Sequence, residues 1–416
     1  MSSIHSIVVI GGGQAGYQVA TSLRQEGFAG RITLIGDEPG VPYQRPPLSK
    51  AYLLGKIGAP ALRFRPPEHY DEQRIERLQA RVTAIDRSAH CVQLESGQRL
   101  DYDHLVLATG ARNRVPEVPG IELAGVFGLR TLADADALAP RLANVKQVVV
   151  IGAGFIGLEF AAVAAAKGVA VHVLDIADRP MARALSRPMS ALFSHGHAGW
   201  GVTLEFGQAV AGLLGEGAHV TAVQTVDGRV LPADLVVYGI GVLPNVELAA
   251  TAGLALDNGI RVDEQLLTSD SAISAIGDVV SYNSPWAPPD GRAVRLESVQ
   301  NAVDQAKAVA ARLVGKPAAY TALPWFWSDQ GDLRLQIAGL AEGCDQTVEI
   351  GSIESRQLTV LCFRAGRLVA VETANRTPDH MAARKLLLRG TALTPQQAAE
   401  PGFDLKAFEA ATREAA

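Results

Sequence analysis

The chain is short of cysteine, poor in aromatic residues and without a long apolar run. Its 416 residues hold three cysteines, Cys91, Cys344 and Cys362, far apart in the sequence and with no Cys-x-x-Cys pair. That argues against a disulfide-stapled framework and a thiolate zinc cluster, and it suits a reducing, cytoplasmic setting. Aromatic residues make up 6% of the chain, and no apolar stretch reaches the ~20 residues of a membrane span. The first apolar run is followed at once by glycines, so no secretory leader is expected. Neither sign of charge dominates. Lys and Arg number 38 and Asp and Glu 43, a net charge of −5, which argues against a nucleic-acid partner. With 48% hydrophobic and 19% charged residues, the composition is that of a globular protein long enough for two or three domains.

Glycine, by contrast, is placed twice in one pattern. GGGQAG, from Gly11 to Gly16, follows the apolar run at residues 4–10. The pattern predicts a buried parallel strand, a helix over Gln14–Gln25 and a second strand over Arg31–Gly36 that ends at Asp37 and Glu38. Gly11 permits the tight turn, Gly13 lets the backbone approach a pyrophosphate, and Gly16 lets the helix pack on the strand. The helix start offers unpaired N–H groups to the phosphates, and Asp37 is placed to accept from a ribose. GAGFIG, from Gly152 to Gly157, repeats the pattern between the strand Gln147–Ile151 and the helix Phe155–Ala166. Its second strand, residues 169–174, ends at Asp175. An acid there suits a free ribose 2′-hydroxyl and repels a 2′-phosphate, so this unit is expected to take NADH over NADPH. One such fingerprint is weak. Two with strand, helix and acid in register suggest two nucleotides between which electrons pass.

The fold class expected is α/β, with two Rossmann-like nucleotide-binding domains and a C-terminal α+β domain. The first domain is discontinuous, residues 1–112 and 245–319, the second covers 113–244, and the third 320–416. Residues 103–110 (DHLVLATG) and 234–241 (DLVVYGIG) return as matching parallel strands, while 71–100 alternate like a small antiparallel insertion. Residues 297–313 read as an alanine-rich helix, and a final helix at 379–389 closes the third domain.

The ordered set GGGQAG, PPLSK, ATG, GAGFIG, GIGVLPN, AIGD and PWFWSDQ resembles the FAD-dependent ferredoxin reductases of the putidaredoxin reductase type, within the glutathione reductase-like flavoprotein fold. The resemblance covers nearly the whole chain, and PPLSK and PWFWSDQ are its most specific parts. It implies FAD on the first fingerprint and NADH on the second. It puts Ala15, Asp37, Lys50, Val82, Arg130 and Val299 at FAD-contacting positions with Gly11, Gly13 and Gly16, adds Arg45, and sets Asp278 on the ribityl chain. For NADH it implies Gly152, Gly154, Phe155, Ile156, Gly157 and Asp175, with Glu159 near the nicotinamide. Ala108, Thr109, Gly110, Gly241 and Glu297 are further cofactor-binding candidates.

Lys50, Glu159 and Trp327 are the catalytic candidates. Most lysines are simply solvated. Here two prolines stiffen the approach to Lys50, and relatives place it near the flavin ring, where a cation stabilises the anionic reduced flavin. Glu159 stands alone in an apolar helix, FIGLEFAAVAAA, so it needs a partner, and Lys50 is the partner expected. Trp325 and Trp327 have core packing as their commoner use. The resemblance sets Trp327 against the isoalloxazine, shielding it. His5, His195, His197 and Cys91 read as structural or surface residues, and no metal site is visible. Arg63, Arg65, Lys307 and Arg312 would steer an acidic ferredoxin if they converged.

The reaction implied is hydride transfer from NADH to FAD, then single electrons to a 2Fe–2S ferredoxin. That ferredoxin would supply a haem-thiolate, P-450 type monooxygenase or a ring-hydroxylating dioxygenase. Residues 41–54 hold no cysteine, which disfavours a disulfide reductase or an NADH peroxidase. Rubredoxin or monodehydroascorbate as acceptor stays open, and an NADH-responsive redox sensor is the alternative of a different class.

Overall fold

The apolar runs around the two glycine turns become central parallel strands. In the computed structural model, which describes residues 4–414, the chain divides into two units. One holds the residues up to Gln44, Pro60–Arg112 and Leu243–Pro324. The other holds Arg45–Ala59, Asn113–Val242 and the chain from Trp325 on. This partition differs from three separate domains: residues 113–242, those from 325 on, and the PPLSK segment lie in one unit. The physical reason lies in the Phe155–Ala166 helix. It is apolar all round, as a helix buried on every side must be. It packs on its own sheet, on the strand Trp325–Gln330 and on the short 3-10 turn Pro46–Ser49.

In the first unit a parallel sheet runs in the order Ile273–Ala275, His104–Leu107, Ser6–Ile10, Arg31–Gly36, Ile75–Gln79. HLVL is buried at every position and SIVVI at all but its first, as strands covered on both faces should be. The helices Gln14–Gln25 and Val299–Leu313 pack against each other here. Ile75–Gln79 corrects the expectation for residues 71–100. It joins the parallel sheet as an edge strand, and only Val82–Asp86, Cys91–Leu94 and Arg99–Asp101 form the antiparallel insertion.

The second unit carries a parallel sheet in the order Val202–Phe206, Ala170–Asp175, Gln147–Ile151, Leu235–Tyr238, Val126–Gly128. Its C-terminal part is an antiparallel sheet ordered Trp325–Gln330, Leu333–Gly339, Arg367–Ala374, Gln357–Arg364, Gln346–Ser352. The Thr377–Arg389 helix packs against this sheet but is not the last element; a further helix, Leu405–Glu414, packs on it. Among the described residues no helix is long and apolar enough to cross a membrane.

Candidate functional site

The first glycine turn is shaped by backbone crowding. Gly11 has φ +118°, and a Cβ there would stand 2.1 Å from the Ala108 carbonyl oxygen. A Cβ on Gly16 would stand 1.9 Å from the Gly11 oxygen. The helix begins at Gly13 with no side-chain cap and no acid in its first turn, and nothing lies within 4 Å of a Cβ placed on Gly13. Open space above uncapped N–H groups is a cradle that fits a pyrophosphate. Other FAD candidates gather in the same unit. The 3-10 turn Gly277–Val279 carries Asp278, and a Cβ on Gly277 would stand 3.1 Å from that of Ala15. Arg295 links two more, pairing with Glu297 at 2.8 Å and donating to the Asp278 carbonyl at 3.2 Å. The helix that starts at Val299 packs against the Asp278 turn. Thr109 donates to the Asn245 carbonyl and Asn245 to the Thr109 carbonyl, both at 2.8 Å, which latches the segment that includes Ala108 and Gly110. Asp37 is exposed at its strand end, and Val82 is buried just past Ala80, whose N–H meets the Gly36 oxygen at 2.9 Å. Arg45, Lys50, Arg130 and Trp327 belong to the other unit, where Arg45 donates to the Arg130 carbonyl at 2.9 Å.

The second turn repeats the crowding. A Cβ on Gly152 would stand 2.6 Å from the Gly239 oxygen, and one on Gly157 2.2 Å from the Gly152 oxygen. Gly154 starts the helix, again with no side-chain cap and no acid in the first turn. Asp175 is more than a strand-end acid. Its Oδ2 accepts from the Ala153 N–H at 2.6 Å and its Oδ1 from the Ala177 N–H at 2.8 Å, so it fixes the glycine turn. Ile156 is partly exposed, the Phe155 ring meets that of Phe326 at a tilt with centroids 4.5 Å apart, and Arg183 reaches to 3.2 Å from a Cβ on Gly241.

Glu159 is 3% exposed and pairs with Lys50, as expected, at 2.7 Å between Nζ and Oε2. Lys50 also donates to the Pro46 carbonyl at 3.2 Å. Two residues missed in the sequence complete the set. Ser49 donates to Glu159 Oε2 at 2.5 Å, and Ser328 to Oε1 at 2.6 Å. Both serines sit beside a named candidate, in PPLSK and PWFWSDQ, and that adjacency was the available signal. His197 is one of the structural residues: it is buried, 2.8 Å from Gln330. Trp327 lies on the strand face opposite Ser328 and is 5.4 Å from the Trp325 ring, which Arg384 covers at 4.8 Å.

One expectation changes. Arg312 is turned inward, donating to Ser274 at 2.5 Å beside the buried His104, so it adds nothing to a surface patch with Arg63, Arg65 and Lys307. Burial and the Arg312 charge push the His104 imidazole down to about 3, which keeps it neutral. Cys344 and Cys362, distant in sequence, lie close enough that Cys362 holds the Cys344 thiol below its ordinary range, and that thiol donates to the Gln346 carbonyl at 3.1 Å. No group of three or more metal-ligating side chains occurs among the described residues.

Residues 5–306 match the family described as pyridine nucleotide-disulphide oxidoreductase, and residues 325–409 the one described as reductase C-terminal. The chain is 52% identical to rhodocoxin reductase of Rhodococcus erythropolis over 404 residues, 96% of this chain and 93% of that protein. The crystal structure of the ferredoxin reductase for the CYP199A2 system from Rhodopseudomonas palustris superposes with a TM-score of 0.94 at 50% identity, covering 97% of this chain and all 100% of that one. Putidaredoxin reductase in its covalent complex with putidaredoxin gives 0.95 at 40% identity, covering 99% and 100%.

Proposed function

The chain belongs to the pyridine nucleotide-disulphide oxidoreductase family, and from that premise we propose that it is an FAD-dependent NADH:ferredoxin oxidoreductase. The observation that carries the proposal is the pair of glycine turns, each opening a helix with no side-chain cap and no acid in its first turn. Similarity to reductases named for rhodocoxin, for ferredoxin and for putidaredoxin supports a 2Fe–2S ferredoxin as the acceptor. Bound FAD would supply the exchange between a two-electron hydride donor, NADH, and a one-electron acceptor.

The residues have separable tasks. Gly11 to Gly16 and the Asp278 turn would hold FAD, and Gly152 to Gly157 with Asp175 would hold NADH. Lys50 offers a cation that Glu159 neutralises and aims, so its charge is fixed in direction without being exposed to water at full strength. Trp327 would exclude water from the reacting ring. Residues 45–59, which carry Lys50, hold no cysteine, so electrons have no thiol to stop at and leave for an external partner. We place the protein in the cytoplasm, serving a haem-thiolate P-450 type monooxygenase or a ring-hydroxylating dioxygenase.

The test is anaerobic stopped-flow absorbance of the FAD-loaded protein, mixed with NADH and then with a 2Fe–2S ferredoxin. Rapid bleaching and then two ferredoxins reduced per FAD is the expected result. Bleaching without reoxidation would remove ferredoxin as the acceptor, and sluggish bleaching would point to a sensor.

A further inference from the structure

Glu159 is the one charged side chain of its helix, and three donors converge on it. Two of them, Ser49 and Lys50, serve Oε2. Ser328 alone among the donors found serves Oε1. A serine hydroxyl can donate or accept, so what lies behind Ser328 decides whether Oε1 receives its proton. Behind it is Gln330, whose Nε2 donates to Ser328 Oγ at 3.2 Å. With that lone pair occupied, the Ser328 hydrogen is free to point at Glu159.

The Gln330 amide is itself oriented from two sides. Its Oε1 lies 2.8 Å from His197 Nε2, which is a hydrogen bond only when Nε2 carries the proton. Its Nε2 also points at Met181 Sδ, 3.6 Å away, so both amide hydrogens are used. Turned over, the amide would set its oxygen against that sulfur and draw the Ser328 hydrogen away from Glu159. His197 is fully buried, and burial pushes its imidazole down to about 4, so the ring is neutral at pH 7. With the proton on Nε2, the bare Nδ1 faces no partner, which is less costly there than a buried N–H would be.

We propose that His197 and Gln330 are positioning residues for the Lys50–Glu159 pair. They form a string with one direction, His197 to Gln330 to Ser328 to Glu159, in which every proton points toward the carboxylate. The string pins Oε1 and leaves Oε2 to Lys50. The proposal rests on the function proposed above, in which that pair acts on hydride transfer.

The experiment uses FAD-loaded full-length protein and two readouts: the limiting rate of flavin bleaching at saturating NADH, and the midpoint potential of the bound flavin. His197→Phe keeps a ring but loses the donor; His197→Gln keeps a donor. The expected result for His197→Phe is a rate lower by about tenfold, a potential displaced in the same direction as in Ser328→Ala, and an NADH dissociation constant within about twofold of wild type. His197→Gln restores both readouts. The double variant His197→Phe/Ser328→Ala matches Ser328→Ala alone, because the elements act in series. Should His197→Phe fail to fold, Gln330→Leu breaks the string at the next link. Unchanged rate and potential in these variants, or additive losses in the double variant, would overturn the proposal. Lys50→Met separates the two ideas: if it too leaves rate and potential unchanged, the role of the pair itself has failed.

Discussion

Replacing Asp175 by Ala should erode the preference for NADH over NADPH and weaken NADH binding together. The carboxylate cannot swing aside, because the Ala153 and Ala177 N–H groups hold its two oxygens at 2.6 and 2.8 Å. It is only half-buried, so the repulsion of each phosphate charge falls between the water and protein-surface limits, about 1–2 kcal/mol at contact range. For a near-dianionic 2′-phosphate that sums to roughly 2–3 kcal/mol, or a preference of about 30- to 150-fold. Removing the carboxylate should cut this ratio of kcat/KM values by at least about tenfold. It also leaves the Ala153 N–H without its acceptor, so the turn loosens and KM for NADH should rise by about tenfold, with kcat at saturation kept. The assay is steady-state reduction of a ferredoxin with each nucleotide, at low and high salt. Screening should shrink the wild-type preference as salt rises. A wild-type preference for NADPH, or an unchanged ratio in Asp175→Ala, would refute the reasoning.

Gly16→Ala should yield protein without FAD, seen as loss of flavin absorbance after purification, because the added Cβ meets the Gly11 oxygen at 1.9 Å. Glu372 is buried in the C-terminal sheet and accepts from Ser186 N–H and Oγ at 2.9 and 2.5 Å; burial raises its carboxyl from 4.5 to about 7. A raised folded value means that its contribution is full below about 4.5 and is lost as pH rises through about 7. The melting temperature of wild type should therefore fall relative to Glu372→Gln between those pH values, and parallel curves would sink this. Iodoacetamide near neutral pH should modify Cys344 first, by peptide mapping, since Cys91 and Cys362 are buried and Cys344 is held toward its thiolate; equal labelling of all three would count against it.

Both strand–turn–helix units were legible because each is local: period, glycine spacing and terminal acid all fall within one short stretch. The pairing of Glu159 with Lys50 was legible for a similar reason, as a lone acid in an apolar helix must find a partner. The division into units was not, since it depends on which surfaces cover that helix. IERLQ at Ile75–Gln79 carries two adjacent charges, Glu76 and Arg77, and gives little sign of joining a parallel sheet, where it forms the edge. Arg312 looked like a surface residue because only the fold brings Ser274 and His104 to it. His197 and Gln330 lie far apart in sequence, and a hydrogen bond between them leaves no periodic trace.

The buried carboxylate also has a history in time. Synthesis runs from the N-terminus, so Ser49, Lys50 and Glu159 leave the ribosome well before Ser328 and Gln330. Both glycine turns, Asp175 and the Asp278 turn all precede the strand Trp325–Gln330 in the chain, and Glu159 Oε1 waits for that strand. A nascent chain stalled between these points would carry both cradles and an acid with one oxygen unserved in an otherwise apolar helix. The C-terminal sheet thus completes the partners of a carboxylate whose own helix, opened by the second glycine turn, was made before it.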